Sequence, residues 1–460
     1  MATVTVSPAR PRRMLEVILM LLALAVGSGG YVLTMLNRTG ELPANLGLHI
    51  CLLVVFAIVA EVIVHWFAPH ADPVILPCAV ALTGLGLAMI FRLDQSYSAL
   101  GQATTGNRQL IMVAIALVLA GLILGFFRDH RVISKYAYTF MVVSLILLVL
   151  PMIPGIGVEH NGAQLWIQVA GFQMQPAEFV KVTLAIFFAG YLVRNRDKLS
   201  LGGKKILGIR LPRLRDLSPI LVVWLLGLGV LVFQRDFGTS LMFFGLFVVM
   251  LYTATNRVSW LVIGAALFIP AAFLAMRLFP HVTARFNVWL NAMDNDVYNA
   301  VGGSYQVVQG QFGLAEGGLF GTGWGSGYPQ LVQYAQSDFI LASFGEELGL
   351  FGILAILALY LILVERGLRA ALGTKDGFGK LLACGLSFSL ALQVFVVLGG
   401  ITRVIPLTGL TAPFLAQGGS SMISSWVMIA ILLRISDAAR RPTATEKPWE
   451  YSEIPGGAVA

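Results

Sequence analysis

The fold is decided by FILASFGEELGLFGILAILALYLILV, which runs from Phe339 to Val364. Its only charged side chains are Glu346 and Glu347, and about 20 apolar residues in a helix span the hydrocarbon core of a bilayer. The apolar residues are continuous rather than alternating, which excludes a strand of a membrane β-barrel. We therefore interpret this stretch as a membrane-spanning helix that follows directly after Ser337-Asp338.

Stretches of the same kind recur along the chain, in which hydrophobic residues make up 57% and charged residues 12%. The mean hydropathy of +0.82 is far above that of a soluble protein. The sequence predicts an all-α polytopic membrane protein of about twelve transmembrane helices, near 14–36, 46–67, 74–92, 109–127, 135–153, 176–193, 218–234, 236–254, 258–277, 338–364, 380–402 and 419–435.

The basic residues predict how these helices are oriented. Most of the 31 Lys and Arg residues lie in the N-terminal tail, in every second connection, and after residue 433. Positive charge accumulates on the cytoplasmic side, so both termini are predicted to be cytoplasmic. This asymmetry explains the net charge of +8 and makes a nucleic-acid partner unnecessary. The predicted organisation is a cytoplasmic tail at 1–12, one transmembrane domain at 13–436 with a large extracellular loop at 278–337, and a disordered cytoplasmic tail at 437–460.

Charged side chains at the outer ends of two predicted helices need partners. Glu178 and Lys181 are three residues apart on one helix face, and such a pair is costly in a membrane unless it faces the bundle interior. The turn that holds Asp236 is too short to carry its charge into water, so we expect a cationic partner, with Lys181 as the candidate. Glu178, Lys181 and Asp236 are thus predicted to form an ion-pair network, which is compatible with a structural or a site role.

The outer loop before Asp338 combines glycines with aromatic residues and fits no nucleotide-binding pattern. Long loops of this kind are usually functional. Trp324 and the other aromatics, with Gln306 and Gln309, suit the faces and hydroxyl groups of a sugar, although anchoring at the membrane interface explains some of them equally well.

A further outer segment offers donors for an anion. Arg403 has no obvious acidic partner, and Gly418-Gly419-Ser420-Ser421 resembles the start of a helix with exposed N–H groups. Asp338 itself has two interpretations at this stage. It caps the helix that follows, or it acts as a base at the mouth of the bundle.

Five motifs in register resemble the SEDS family (shape, elongation, division and sporulation), and within it the actinobacterial RodA branch. They are Asn161-Gly162-Ala163 with Trp166; Gln175-Pro176 with Glu178 and Lys181; Gln234 and Asp236 with Gly238-Thr239; Ser337-Asp338-Phe339-Ile340 with Gly345-Glu346-Glu347-Leu348-Gly349; and Pro406-Leu407-Thr408-Gly409 with Gly418-Gly419-Ser420-Ser421. Leu165 stands where many members carry Arg, so a phosphate-binding role at that position is not expected.

The resemblance implies a ten-helix core with two additional N-terminal helices, and an inverting peptidoglycan glycosyltransferase. Such an enzyme polymerises lipid II at the outer face of the cytoplasmic membrane during cell elongation, releases undecaprenyl pyrophosphate, and works with a class B penicillin-binding transpeptidase. Asp338 would be the general base. Lys181, Arg403 and Arg285 would neutralise the pyrophosphate, with Ser420 as a further substrate contact. A divalent cation, Mg²⁺ or Mn²⁺, is compatible with the diphosphate, although no ligand cluster in the sequence requires one.

Three alternatives stay open at this point. Buried charges in a helical bundle also suit a lipid II flippase, and the chain could instead be a scaffold that positions the transpeptidase. An FtsW-type polymerase of cell division is the third.

Overall fold

The computed structural model describes residues 13–441 except 43–44, 161–162, 170, 197–204, 207–208, 211–220, 223–224, 228, 230–233 and 235. The predicted tail at 1–12 and more than half of the predicted helix at 218–234 lie outside the described residues. The described helices are α1 (Arg13–Thr39), α2 (Leu46–Phe67), α3 (Ile75–Ala99), α4 (Gly106–Phe126), α5 (Arg131–Lys135), α6 (Ala137–Val149), α7 (Ala177–Arg194), α8 (Phe237–Thr255), α9 (Ser259–Leu278), α10 (Pro280–Leu290), α11 (Asn295–Tyr298), α12 (Tyr305–Gly317), α13 (Ile340–Gly373), α14 (Gly377–Ile401) and α15 (Gly419–Arg440).

The all-helical membrane architecture predicted from composition is confirmed. Within the described residues, nine helices are long and apolar enough to cross a bilayer, namely α1–α4, α8, α9 and α13–α15. The stretches predicted at 135–153 and 176–193 form the shorter helices α6 and α7. Helix α3 is central, because its entire apolar window is enclosed by other parts of the protein.

Two of the connections predicted to be extracellular are structured. A three-stranded antiparallel meander of β1 (Gly157–His160), β2 (Ala163–Val169) and β3 (Phe172–Met174) precedes α7. The connection at 278–337 contains α10, α11, α12 and a short 3₁₀ turn at Pro329–Leu331. A second, two-stranded sheet pairs β4 (Lys205–Ile206) with β5 (Ile209–Arg210).

Helix α13 consists of two segments that meet at a kink. Gly349 has φ 68° and ψ −168°, a conformation that favours glycine because it lacks a Cβ. Residues 340–347 before the kink are buried by protein, whereas Leu350 and Phe351 just after it are about half exposed, as expected for lipid contact. Asp338 therefore lies two residues before a helical segment that is enclosed by protein.

The glycine-rich loop, which lies between residues 302 and 327, is bound along residues 340–347, which we call the outer segment of α13. The N–H groups of Thr322 and Gly323 donate to the carbonyls of Glu346 and Glu347 at 3.0 and 3.1 Å, respectively. A Cβ on Gly321 would lie 2.2 Å from the carbonyl oxygen of Glu347, so only glycine permits this approach. The loop is consequently part of the packed core around α13.

The end of α15 differs from the predicted boundary at 436. The helix continues to Arg440, and Asp437 is fully buried. Asp437 accepts from the N–H of His70 at 2.9 Å and pairs with Arg441 at 2.8 Å. The last helical turn was placed in the disordered tail because its charged residues are polar in sequence, but they are partnered by the end of α2 and by each other.

Candidate active site

Asp338 does not cap α13. The helix begins at Ile340, and its capping position is Phe339, whose side chain is fully buried against Gly310 of α12. The first helical N–H groups, those of Ile340 and Ala342, donate to the backbone carbonyls of Ser337 and Phe339. The carboxylate is therefore left for another role.

The carboxylate of Asp338 is partly buried and faces a turn with positive φ. An added Cβ on Gly409, which has φ +76°, would lie 3.8 Å from its Oδ2. Burial raises the pKa of Asp338 to about 7, against the opposing effects of the Arg285 guanidinium and the Ser337 hydroxyl. Desolvation thus outweighs the helix N-terminus, which by itself would lower the pKa.

Arg285 is the cation of this site. Helix α10 places it so that Nη1 donates to the carbonyls of Leu407 and Thr408 at 3.4 and 3.3 Å, and its guanidinium lies 5.8 Å from the centre of the Phe237 ring. Burial lowers the pKa of Arg285, while the charges of Asp236 and Asp338 oppose this change. The guanidinium therefore interacts with both carboxylates while also contacting the Pro406–Gly409 turn.

Asp236 has a different partner from the one predicted. It caps α8, accepting from the Thr239 N–H at 2.9 Å and the Thr239 hydroxyl at 2.6 Å. Burial raises the pKa of Asp236, and Arg285 lowers it. The predicted contact with Lys181 is wrong, because the carboxylate oxygens turn toward the helix N-terminus and the nearby cation is Arg285.

Lys181 belongs to a separate buried network. Its Nζ donates to Glu178 Oε2 at 2.5 Å and to Gln393 Oε1 at 2.8 Å. Glu178 also accepts from the Ser424 hydroxyl at 3.1 Å, and Lys181 is 1% exposed. The network joins α7, α14 and α15. Gln393 and Ser424 were missed by the sequence analysis, since an amide or hydroxyl in an apolar stretch carries no sign of its partner.

Arg403 and Ser420 are each engaged in backbone contacts. Arg403 donates from Nε and Nη2 to the Trp289 carbonyl at 3.1 and 2.7 Å, at the C-terminal end of α10. The Trp289 indole returns a bond to the Arg403 carbonyl at 2.9 Å. Ser420 accepts from the Gln175 N–H at 2.8 Å. Arg403 thus holds the helix that carries Arg285, and Ser420 holds the entry to α7.

The three loop residues proposed for sugar contacts each contact another part of the protein. Gln306 donates to the Gln333 carbonyl at 2.8 Å and Gln309 to the Tyr298 hydroxyl at 3.0 Å, both within the outer loop. Trp324 is 9% exposed and packs edge-to-face on Phe344 of α13. A sugar platform at Trp324 is therefore not what the structure shows, because the indole fills the space between α1 and α13.

An ion pair between α3 and α13 was not predicted. Arg92 of α3 donates from Nε to Glu347 at 2.5 Å and from Nη1 to Ser96 and Gln330 at 2.8 and 3.0 Å. Glu347 also accepts from the Gly325 N–H at 2.9 Å, and both charged side chains are fully buried. The sequence did contain a sign of this pair. Arg92 lies at the end of the apolar stretch near 74–92, and charged residues in a membrane span are usually paired.

Within the part of the chain that the structure describes, no three His, Cys, Asp or Glu side chains group as they would around a metal ion. The charges of Asp236 and Asp338 both act on Arg285, which supplies positive charge at this site. A divalent cation at this site would need most of its ligands from a diphosphate.

Sequence comparisons place the chain among known proteins. The family model for FtsW, RodA and SpoVE, described as cell cycle protein, matches residues 73–441. The chain is 43% identical over 459 residues to peptidoglycan glycosyltransferase RodA of Mycobacterium tuberculosis, covering 98% of this chain and 96% of the relative. It is 32% identical over 381 residues to a probable peptidoglycan glycosyltransferase FtsW of Trichlorobacter lovleyi, covering 82% and 96%.

Two solved structures share the fold. One is a chain in a peptidoglycan synthase complex that coordinates polymerization and crosslinking, with a TM-score of 0.63, 24% identity, and coverage of 80% of this chain and 98% of that one. The other is a variant of the rod shape determining protein RodA of Thermus thermophilus, with a TM-score of 0.56, 24% identity, and coverage of 80% and 97%.

Proposed function

We propose that this chain, which belongs to the FtsW/RodA/SpoVE family, is a peptidoglycan glycosyltransferase that polymerises lipid II with Asp338 as the general base. The enzyme class rests on relatives named peptidoglycan glycosyltransferase RodA that align over almost the whole chain. The role of Asp338 rests on one observation. It is a partly buried carboxylate whose pKa is raised to about 7, and a base is most effective when its pKa is close to the working pH.

In the proposed reaction, the 4-hydroxyl oxygen of the acceptor sugar attacks the anomeric carbon of the lipid-linked donor. The bond from this carbon to the diphosphate oxygen breaks with inversion, and its electron pair stays on undecaprenyl pyrophosphate. Asp338 takes the hydroxyl proton, as the base does in inverting glycosyl transfer. Both carboxylate oxygens remain free of helix capping, which supports this assignment.

Arg285 is the candidate to stabilise the leaving diphosphate. A guanidinium binds phosphate oxygens in a bidentate manner, and the charge of Arg285 already acts on Asp338. Lys181 is less suited, because Glu178 and Gln393 occupy its donors. Arg403 stays a candidate through its Nη1, and Gln306, Gln309 and Ser420 stay candidates for contacts with the sugars and the peptide. A Mg²⁺ or Mn²⁺ ion shared with the diphosphate is part of the proposal and predicts that chelation slows polymerisation.

The multi-pass membrane architecture supports a location in the cytoplasmic membrane with the active site facing outward and both termini inside. The asymmetry of basic residues supports the same orientation. We further infer elongation and shape maintenance as the cellular role, with a class B penicillin-binding transpeptidase as partner. The structural neighbour from a complex that couples polymerization to crosslinking is consistent with such a partner.

The test is polymerisation of labelled lipid II by the purified full chain in detergent, without another polymerase. We expect glycan strands from the wild type and none from Asp338→Asn. The matched control is Asp296→Asn, which removes one acidic charge from an exposed position in the same outer loop and should leave polymerisation unchanged. Normal polymer from Asp338→Asn would refute the base assignment.

Two other outcomes separate the alternatives. If the wild type makes no polymer alone or with its transpeptidase but moves lipid II across vesicles, the chain is a flippase. If depletion in cells blocks septation while elongation continues, the role is that of an FtsW-type division polymerase.

A further inference from the structure

Helix α1 lies before the residues that the family model matches, which begin at residue 73, yet it contacts the glycine-rich loop. Gly30 faces Trp324 so closely that an added Cβ would lie 2.8 Å from indole Cζ2 and 3.1 Å from Cη2. Real Cβ atoms do not approach ring carbons to this distance, because protein interiors are close-packed. The glycine is therefore required by the ring that stands against it.

Two further contacts continue along the same face of α1. An added Cβ on Gly325 would lie 3.0 Å from the backbone oxygen of Thr34. One turn on, Asn37 donates from Nδ2 to the Trp324 carbonyl at 2.7 Å. Gly30, Thr34 and Asn37 are spaced by four and three residues and therefore lie on one face of the helix. This face contacts Trp324 and Gly325 of the loop.

The same loop also contacts α13. The N–H of Gly325 donates to Glu347 at 2.9 Å, and the N–H of Tyr328 donates to Glu346 at 2.5 Å. The Trp324 ring packs on Phe344 with ring centres 5.9 Å apart. The loop thus lies between α1 on one side and the outer segment of α13 on the other.

We propose that α1 is a positioning element for Asp338. Its Gly30–Thr34–Asn37 face holds Trp324 and Gly325 against the outer segment of α13, and so fixes the place of the carboxylate two residues before that segment. The inference rests on the proposed function of Asp338 as the base, but assigns a new role to a helix beyond the family match. Misplacing reacting groups by about 1 Å costs on the order of 10²-fold in rate, so a small shift of the loop has a measurable consequence.

Gly30→Ala tests the contact with one added methyl group. The clash would displace the Trp324 ring, and through it Phe344. We expect kcat for lipid II polymerisation to fall by about 5- to 50-fold with KM unchanged. The matched control is Gly29→Ala on the same helix, where an added Cβ meets nothing within 4 Å, and kcat should stay within about twofold of the wild-type value.

A second-site variant separates positioning from loss of folding. Trp324→Phe removes the outer atoms of the indole that meet Gly30, so the double variant Gly30→Ala/Trp324→Phe should recover at least half of the kcat lost by Gly30→Ala. Thermal unfolding in detergent is measured for every variant. A merely structural role would lower the melting temperature and leave kcat per folded enzyme unchanged.

The outcomes distinguish this inference from the proposed function. If Asp338→Asn is inactive and Gly30→Ala polymerises at the wild-type rate, the positioning role is refuted while the base assignment stands. If Gly30→Ala and Gly29→Ala lose activity equally, or the double variant shows no recovery, the role is likewise refuted. An active Asp338→Asn removes the base assignment and the inference together.

Discussion

The two ends of the outer segment of α13 carry acidic residues in opposite situations. Glu347 is fully buried, and both of its oxygens are engaged, one by Arg92 at 2.5 Å and the other by the Gly325 N–H at 2.9 Å. Asp338 remains partly exposed, and its cation Arg285 directs Nη1 donors to the carbonyls of Leu407 and Thr408. Both carboxyl groups are withdrawn from bulk water, but only one has complete compensation.

The difference indicates which acid holds the fold and which one reacts. A buried ion pair with all hydrogen bonds satisfied fixes geometry, and removing one member leaves an uncompensated charge. A desolvated carboxyl group with incomplete pairing keeps a raised pKa and can accept a proton near neutral pH. Burial alone does not distinguish the two kinds of acid, whereas the number of carboxylate oxygens that accept a hydrogen bond or ion pair does.

Exchanging each acid for its amide should produce opposite phenotypes. Asp338→Asn is expected to lower polymerisation by about 10²- to 10⁴-fold, the usual contribution of a general base, without loss of stability. Glu347→Gln should weaken the pairing with Arg92 and lower stability more than Asp338→Asn does. Gel analysis of labelled lipid II products and thermal unfolding measure the two effects. A strong loss of stability in Asp338→Asn would contradict the comparison.

Arg92→Met tests the structural end of the segment. It leaves the Glu347 charge buried without its cation, which costs about 3–5 kcal/mol. The double variant Arg92→Met/Glu347→Met removes both charges and should recover a large part of this loss. Denaturant unfolding in detergent supplies the values. Equal stabilities of the single and double variants would show that Glu347 does not depend on Arg92.

The pH dependence of kcat/KM tests whether Asp338 acts as the general base. Asp338 acts as the ionised base, so the rate should fall about tenfold per pH unit below its pKa of about 7. Arg285 lowers that pKa, so in Arg285→Gln the acid limb should move to higher pH. A limb that stays fixed or moves to lower pH in this variant would exclude electrostatic contact between the two side chains.

Arg403→Gln has the smallest expected effect. Its guanidinium donates to the last carbonyls of α10, and loss of such a contact costs about 1–2 kcal/mol. The comparison predicts reduced stability with KM for lipid II nearly unchanged. A large rise in KM at unchanged stability would instead assign Arg403 to the substrate. The measurements are steady-state polymerisation and thermal unfolding on the same preparation.

Most of the fold followed from the sequence because membrane helices are marked by length and continuous apolar character. The prediction was least accurate where polar residues are stabilised by distant parts of the chain. The buried end of α15 around Asp437 and the kink at Gly349 are examples, since their partners lie in the connection after α2 and in the glycine-rich loop.

The candidate site was predictable in its members more than in its pairings. Asp338 and Arg285 were both named from the sequence, and the Glu178–Lys181 contact of the separate network follows from helical spacing. The effect of the Arg285 charge on Asp236 was not predicted, because it relates the start of α8 to α10, which are distant in sequence. Trp324 shows the same limit, since nothing local distinguishes an aromatic ring facing a ligand from one packed on Gly30.

The pair of Arg92 and Glu347 also has a consequence during synthesis. The two residues are 255 positions apart, and a ribosome adds about 5–20 residues per second. On the order of 10–50 s therefore pass between the synthesis of Arg92 and that of Glu347. Helices α1 to α4 have left the ribosome before Glu347 is made. The glycine-rich loop is made in the last seconds of that interval, so Asp338 is placed in its surroundings only as the nascent chain closes this delayed contact.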